Sequence, residues 1–270
     1  MKDSVQPRPD FLVVEENLRA AMRFFGEATG AGEVRELDGA LAMFSGLDYG
    51  VFNIALLDPS AAGRPPLEAR LADCARYFGS RAVRWSFWFC EDLVEPDVRR
   101  RARQMFQECG MHAISRPPGM VAEQLAPPRR QLPEIECRAV SDLATRAAFA
   151  EITAVSFDIP LNIAHAVYQP ERAWHGHYQG FVGIVQGRPV CSAATVAMPE
   201  SLGIYSVGTL PEFRRKGYGE ALVRAAVAQS QARLARPSPR LVLESTEAGQ
   251  GLYRRMGFRD VARFSVYLTR

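Results

Sequence analysis

Apolar and polar residues alternate along the carboxyl-terminal half in a way that predicts a β-rich mixed sheet with interspersed helices. Apolar residues recur at helical spacing after Asp142, which is placed to cap a helix. Runs rich in alanine and leucine predict further helices. β-Branched and aromatic runs separated by turn residues predict strands. The predicted helices follow Asp142 and span 218–234 and 247–256, and the predicted strands span 135–140, 181–186, 190–198, 202–210, 240–243 and 264–268.

The amino-terminal half shows a similar order of patterns. Predicted helices span 15–27, 67–78 and 97–109, and predicted strands span 33–37, 41–44, 51–57 and 83–89. Residues 105–111 align with residues 252–258 after a shift of 147 positions. In both segments a helix containing an aromatic residue ends at a glycine, Gly110 or Gly257, as expected for a left-handed turn. The pattern predicts a tandem duplication.

Proline pairs mark the boundary between the halves. Pro117-Pro118 and Pro127-Pro128 remove backbone donors and fix φ, so neither a helix nor a central strand is expected to continue through 116–133. We therefore predict a first domain over 1–126, a linker over 127–133 and a second domain over 134–270. Each half is long enough to bury its own core.

Charge is distributed unevenly although the net charge is only +3. From Arg214 onward there are 12 basic and 4 acidic residues, which favours a single anionic ligand over a long polyanion. The five cysteines form no CxxC pair, so we expect reduced thiols, no metal site and a cytoplasmic protein. We find neither a signal-peptide core nor an apolar run long enough to cross a membrane.

The main chemical signal is the segment 207–222. A predicted strand ends, three consecutive basic residues follow, and Gly217-Tyr218-Gly219 opens a helix. Helix N-termini carry unpaired N–H groups that suit phosphate, and glycine lets the backbone approach it. The third glycine of a dinucleotide loop is replaced by Leu222, and GxxxxGK[ST] does not occur.

Arg214-x-x-Gly217-x-Gly219 resembles the acyl-CoA loop of the GNAT N-acetyltransferase superfamily. Downstream, the segment from Leu252 to Phe258 resembles that family's LY-x-x-x-GF motif, with 34 residues from Gly219 to Tyr253. The clear resemblance covers roughly residues 135–270. It implies an α/β (α+β) fold of two tandem GNAT-like domains, each a mixed, mainly antiparallel twisted sheet flanked by helices.

The resemblance also implies a reaction and the residues that perform it. An amine would attack the thioester of acetyl-CoA directly, and Tyr253 would protonate the departing sulfur as general acid. The alternative for Tyr253 is a core aromatic residue. Backbone groups of Val207 and Thr209 would hold the pantetheine arm, and the pyrophosphate would bind the loop residues Arg214, Arg215, Lys216, Gly217, Tyr218, Gly219 and Glu220.

The first half departs from this motif at two places. Phe106 stands where Tyr253 stands, and residues 58–66 contain neither a basic triplet nor Gly-x-Gly. We expect a degenerate copy that binds no coenzyme A and buttresses or shapes the acceptor site.

The general base and the acceptor stay open at this point. Glu200, Glu244, Glu247 and Asp158 are candidate bases, and a water relay is preferred to each of them. His175 and His177 lack a third ligand at a metal-binding spacing. The expected partner is a small-molecule or peptide amine, with no nucleic acid and no membrane, and the chain would be a monomer or homodimer. The alternatives are a non-catalytic acyl-CoA-binding regulator and, ranked last, a nucleic-acid-binding protein.

Overall fold

The computed structural model of the protein describes residues 8–60, 65–234 and 240–270. The helices are α1 (Asp10–Glu27), α2 (Leu67–Gly79), α3 (Pro96–Glu108), α4 (Leu143–Phe157), α5 (Leu161–Tyr168), α6 (Tyr218–Gln231) and α7 (Glu247–Arg255). The strands are β1 (Glu33–Leu37), β2 (Ala40–Phe44), β3 (Ile54–Leu57), β4 (Ser86–Cys90), β5 (Met111–Ser115), β6 (Pro118–Ala122), β7 (Glu136–Ala139), β8 (Tyr178–Val185), β9 (Arg188–Met198), β10 (Ser201–Thr209), β11 (Arg240–Glu244) and β12 (Arg259–Thr269).

All the strands join one continuous sheet. Its order is β1-β2-β3-β4-β12-β6-β11-β10-β9-β8-β7, with β5 paired to β12. Among the described residues, β3–β4 and β10–β11 pair in parallel and the other strand pairs are antiparallel. The predicted fold class, a mixed and mainly antiparallel sheet flanked by helices, is confirmed.

The two halves repeat one topology, as the aligned glycine segments indicate. The order β1-β2-β3-α2-β4-α3-β5 corresponds to β8-β9-β10-α6-β11-α7-β12, and in each half the third and fourth strands form the parallel pair. Gly110 follows α3 with φ +74° and Gly257 follows α7 with φ +99°. Both glycines therefore occupy the left-handed region that terminates a helix without a Cβ clash.

The halves also exchange strands at the middle of the sheet. β6, from the first half, lies between β11 and the first part of β12. The second part of β12, from the other half, lies between β4 and β5. The expectation that 116–133 contains no central strand is therefore wrong. Pro118 is the first residue of β6, a position where a missing N–H is tolerated, and its carbonyl accepts from the backbone N–H of Ser245 at 3.1 Å.

Different helices cover the two faces of the carboxyl-terminal strands. α1 and α4 lie over one face of the carboxyl-terminal strands, while α6 and α7 pack on the other. α1 belongs to the first half but contacts β9, β10 and β11 as well as β2. Its Phe24 ring lies 4.3 Å from that of Tyr178 on β8. One helix thus buries apolar surface from both halves.

Candidate active site

The strands β10 and β11 separate after a short parallel pairing. Ser201, Leu202 and Gly203 pair with residues of β11, and from Ile204 onward β10 has no partner on that side. The register of β10 against β9 shifts between Tyr205 and Gly208, where Ser206 has φ +47°. Such a bulge bends a strand and increases its twist. The sheet therefore opens between the ends of β10 and β11.

Thr209 lies at the end of β10, on the edge of this opening. Leu210 donates its backbone N–H to Val190 of β9 at 3.0 Å, so the neighbouring Thr209 directs its backbone groups to the opposite edge. Its carbonyl oxygen accepts a hydrogen bond from Arg214 Nε at 2.9 Å. Val207 lies two residues earlier on the same open strand. Their predicted contacts with a pantetheine arm stay predictions.

The loop from Arg214 to Gly217 turns directly into the N-terminus of α6. Arg215 has φ +62° and Gly217 has φ +98°, so both adopt the left-handed conformation. An ideal Cβ on Gly219 would lie 3.1 Å from Thr209 Oγ1, which places the first turn of α6 close to the open strand. The first N–H groups of a helix have no intrahelical acceptor. They are placed beside the open edge of β10.

The other predicted side chains of the loop are distributed around it. Lys216 Nζ lies 5.6 Å from the Phe213 ring centroid, and the Tyr218 ring lies 5.8 Å from the same ring. Glu220 forms an ion pair with Arg224 at 2.8 Å. The Glu220 carboxylate therefore neutralises a nearby arginine, and the predicted contact of its backbone N–H with a phosphate stays a prediction.

The predicted linker packs against this loop. Arg130 Nη2 donates to the carbonyl oxygen of Arg215 at 3.3 Å, and an ideal Cβ on Gly217 would lie 3.0 Å from Pro133 Cδ. Arg224 donates to the carbonyl oxygen of Ala126 at 2.7 Å. The segment between the halves thus supports the shape of the loop.

Tyr253 lies on α7, on the face of the sheet covered by α6 and α7. It is 7% exposed, and its ring contacts Phe258 edge-on with the centroids 5.8 Å apart. Burial raises the pKa of its hydroxyl above the ordinary value of 10, so the phenol stays protonated at neutral pH. A protonated phenol is a proton donor, whereas a phenolate is not. The environment is compatible both with the predicted general acid and with a core aromatic residue.

The candidate bases differ sharply in their surroundings. Glu200 forms an ion pair with Arg240 at 3.2 Å, and Glu247 is exposed in the first turn of α7. Asp158 is exposed and ends α4 in the left-handed conformation. Glu244 instead ends β11, and its Oε1 is buried without a hydrogen-bond partner. Burial, with a contribution from Glu15, raises the pKa of Glu244 to about 8.

Three residues of this region were not singled out from the sequence: Glu15, Asn17 and Tyr205. Glu15 and Asn17 lie on α1 and are 1% and 0% exposed, and Asn17 Oδ1 accepts from the Tyr205 hydroxyl at 2.7 Å. The only signal in the sequence was two polar residues among the apolar positions of a predicted helix. A buried polar residue in such a pattern indicates a specific partner.

The two histidines lie exposed at the surface after α5. His175 Nε2 lies 3.9 Å from Glu171, and both side chains are exposed. Among the residues that the structure describes, no group of three His, Cys, Asp or Glu side chains is arranged to hold a metal ion. Within the same residues, no helix combines the length and apolar character needed to cross a bilayer.

The equivalent positions of the first half are occupied differently. Phe106, at the position of Tyr253, is fully buried and stacks on Tyr267 with the ring centroids 3.8 Å apart. Asp58, at the start of the segment equivalent to the basic loop, forms an ion pair with Arg19 at 3.0 Å. The predicted proline-containing segment 58–66 lies partly outside the described residues, which exclude 61–64.

Comparisons with known proteins place these features in a family. A family model described as an acetyltransferase (GNAT) domain matches residues 171–260, which include the loop and Tyr253. A search of curated proteins found no match.

Solved structures extend the likeness of the fold over most of the chain. A GCN5-related N-acetyltransferase from Kribbella flavida is similar with a TM-score of 0.66 and 20% identity, over 96% of this chain and 94% of its own. A tandem GNAT protein from the clavulanic acid biosynthesis pathway gives a TM-score of 0.54 and 12% identity, over 85% and 78%. The family model thus identifies an acetyltransferase (GNAT) domain at residues 171–260, where the sequence motifs lie, and the solved structures show a likeness of fold over most of the chain.

Proposed function

We propose that the protein is an acetyl-CoA-dependent N-acetyltransferase that acts on a primary amine of a small molecule or peptide. The observation that carries this proposal is the separation of β10 from β11 beside the N-terminus of α6. An extended arm fits along the open edge of β10, and a diphosphate fits the basic loop at the helix start. Acetyl-CoA combines an extended pantetheine arm with a pyrophosphate and supplies an acetyl thioester.

The shape of the loop supports a phosphate group at this position. Gly217 has φ +98°, a backbone conformation that other residues rarely adopt. A Cβ on Gly219 would approach Thr209 Oγ1 to 3.1 Å and would narrow the space in which a phosphate could reach the backbone N–H groups. Arg214, Arg215 and Lys216 add positive charge beside the unpaired N–H groups of α6. Arg214 also holds the Thr209 carbonyl, which fixes the end of β10 relative to the loop.

The proposed reaction transfers the acetyl group in one direct displacement. The amine nitrogen forms its bond to the thioester carbonyl carbon, the carbon–sulfur bond breaks, and one proton leaves the nitrogen. Tyr253 Oη donates a proton to the sulfur and regains one from solvent. Because burial keeps this hydroxyl protonated, Tyr253 is suited to the role of general acid.

We also propose that the first half binds no acetyl-CoA and instead stabilises the fold of the second half. Phe106 has no hydroxyl, and its stacking on Tyr267 fills the equivalent position. Asp58 follows β3 directly and forms an ion pair with Arg19, so the segment after this strand begins with a carboxylate and has no basic triplet that would attract a phosphate.

Two measurements test this function. Isothermal titration calorimetry should show one acetyl-CoA bound per chain, and a panel of primary amines should stimulate thiol release above the rate without amine. Two equivalent binding sites would contradict the degenerate first half. Binding without amine-dependent release would favour the non-catalytic acyl-CoA-binding regulator, and failure to bind acetyl-CoA would overturn both functions.

A further inference from the structure

Two carboxylates from different halves of the chain approach each other near the opening of the sheet. Glu15 lies on α1 and is 1% exposed, while Glu244 is the last residue of β11. The buried Oε1 of Glu244 forms no hydrogen bond with the described residues, whereas Oε1 of Glu15 lies 3.0 Å from Arg19 Nε in an ion pair. The charge of Glu15 raises the pKa of Glu244, so the two groups interact electrostatically.

The alternation of side chains along β11 places Glu244 on the face covered by α1. Val242 packs into the core beneath α1 and α4, whereas Leu243 packs into the core beneath α6 and α7. Because alternate residues of a strand point to the same face, Glu244 shares the face of Val242. Tyr253 packs into the opposite core, with Leu243. The carboxylate and the phenol therefore lie on opposite faces near the same opening.

Buried and charged groups from three elements surround the carboxylate pair. On β10, burial and then Glu244, Tyr178 and Glu15 raise the pKa of Tyr205. On α1, Arg19 Nε donates to Glu15 Oε2 at 3.1 Å. On β4, burial raises the pKa of the Cys90 thiol. The backbone N–H of Asp92 lowers this pKa, and the charges of Glu15 and Glu244 raise it further. Arg19 contacts Glu15 rather than Glu244, and it also forms an ion pair with Asp58 at 3.0 Å. The charges of Asp58 and Glu16 act on Glu15 as well and raise its pKa.

We propose that Glu244 is the catalytic base of the acetyl transfer and that Glu15, contributed by the first half, is its positioning residue. The inference rests on the proposed function and names the group that receives the amine proton. As the nitrogen–carbon bond forms, Glu244 accepts one proton from the attacking nitrogen. Tyr253 donates one proton to the departing sulfur, so the products are the amide and the free thiol. Solvent then restores both side chains.

The surroundings of Glu244 suit a base for an amine. The residue remains partly exposed although its Oε1 is buried, so a substrate can approach it. A pKa of about 8 means that the carboxylate, once ionised, holds a proton more strongly than an ordinary glutamate. Base catalysis is most effective when the pKa of the base lies near the working pH.

The charge of Glu15 influences the pH at which Glu244 loses its proton. Burial raises the pKa of both carboxylates, but Arg19 contacts Glu15 and lowers its pKa, so Glu15 is the member of the pair that holds a negative charge more readily. Its negative charge then opposes ionisation of the second carboxylate. Removing that charge while keeping the shape should let Glu244 ionise at a lower pH.

The first experiment replaces the proposed base. Glu244→Gln keeps the shape and removes a buried acid, and it should lower kcat by about 100-fold or more without weakening acetyl-CoA binding measured by calorimetry. Glu151→Gln, an exposed acid on α4, is the matched control and should retain wild-type kcat. An unchanged kcat in Glu244→Gln, when the wild type is active, overturns the assignment of the base and leaves the proposed function standing.

The second experiment tests the contribution of the first half through a pH profile. Glu15→Gln should shift the midpoint of the rise in kcat to lower pH. Glu27→Gln, at an exposed position at the end of the same helix, is the matched control and should leave the midpoint unchanged. A merely structural role would lower activity at every pH without moving the midpoint, and that result overturns the positioning role. A wild-type chain that releases no thiol with any amine overturns the proposed function and this inference together.

Discussion

Asn17 on α1 accepts a hydrogen bond from the hydroxyl of Tyr205 on β10, and this contact joins the two halves where the sheet opens. The Oδ1···Oη distance is 2.7 Å, and Asn17 Nδ2 also donates to Val196 O at 3.1 Å and to Ser201 Oγ at 2.8 Å. Gly203 provides the space, since an ideal Cβ there would lie 1.9 Å from Asn17 Oδ1. The first half therefore shapes the strand that we propose holds the pantetheine arm.

Replacing Asn17 should destabilise the whole chain. Asn17→Asp keeps the shape but removes both side-chain donors at a fully buried position, so we expect the free energy of unfolding to fall by about 2–3 kcal/mol. Urea denaturation followed by fluorescence measures the change. Asn162→Ala, at an exposed position of α5, should stay within about 0.5 kcal/mol of the wild type. Equal stability of Asn17→Asp and wild type would contradict the proposed importance of this contact.

The strand exchange predicts that the halves do not fold separately. A fragment of residues 134–270 lacks β6, so β11 loses its antiparallel neighbour and the first part of β12 loses its partner. Unpaired central strands leave buried backbone groups unsatisfied and promote aggregation. We expect each fragment alone to lack a cooperative thermal transition, and the co-expressed halves to associate. A cooperative transition in isolated 134–270 would show that the exchange is dispensable.

Tyr253→Phe should separate catalysis from cofactor binding. The substitution removes the proton donor but keeps the ring that contacts Phe258, so kcat should fall by about 100-fold while the acetyl-CoA Kd changes little. Stopped-flow or steady-state thiol release measures kcat, and calorimetry measures Kd. Tyr77→Phe, which loses a 3.0 Å hydrogen bond to Glu33 in the first half, is the control and should retain kcat. Unchanged turnover in Tyr253→Phe would leave the residue as a core aromatic.

Gly219→Ala should weaken acetyl-CoA binding. The added methyl group would approach Thr209 Oγ1 to 3.1 Å and occupy the space between the open strand and the helix start. We expect Kd to rise by about tenfold or more, which calorimetry measures. Gly79→Ala is a suitable control because a Cβ there meets no atom within 4 Å. Wild-type affinity in Gly219→Ala would indicate that the ligand does not enter this gap.

The buried carboxylates predict how stability depends on pH. Burial raises the pKa of Glu15 to about 7 and that of Glu244 to about 8, from the ordinary glutamate value of 4.5. Between pH 4.5 and 8 the folded chain therefore holds protons that the unfolded chain has released. The free energy of unfolding should therefore fall steadily as the pH rises through this window, by several kcal/mol. Glu244→Gln should flatten this dependence, and Glu151→Gln should follow the wild type. Chemical denaturation at pH 5, 6, 7 and 8 provides the test.

Local sequence patterns were sufficient for most of the elements and for the loop. Asp142 was expected to cap a helix, and it accepts from the backbone N–H of Thr145 at 2.7 Å at the start of α4. Gly110 and Gly257 were expected to end equivalent helices, and both adopt positive φ. These features depend on a few neighbouring residues, and this is why one sequence predicts them.

The strand β6 and the candidate base could not be predicted in the same way. Pro118 predicts a break between strands, because proline lacks the N–H that a strand needs for pairing. Whether a strand can begin at proline depends on which strand lies beside it, and this is known only from the folded chain. Glu244 is one of several acids near predicted strand ends, and only the face of β11 and the approach of α1 distinguish it from Glu200 or Glu247.

The sequence by itself determined the duplicated order of elements and the glycine-containing basic loop. It also determined the loss of the tyrosine hydroxyl at Phe106 in the first half. The tertiary structure alone decided that the halves exchange β6 and the second part of β12, and that Glu15 meets Glu244. The physical reason is distance along the chain. Capping, turns and helix ends depend on neighbouring residues. The exchanged strands and the two buried carboxylates come instead from segments more than 100 residues apart, which pack together only in the folded chain.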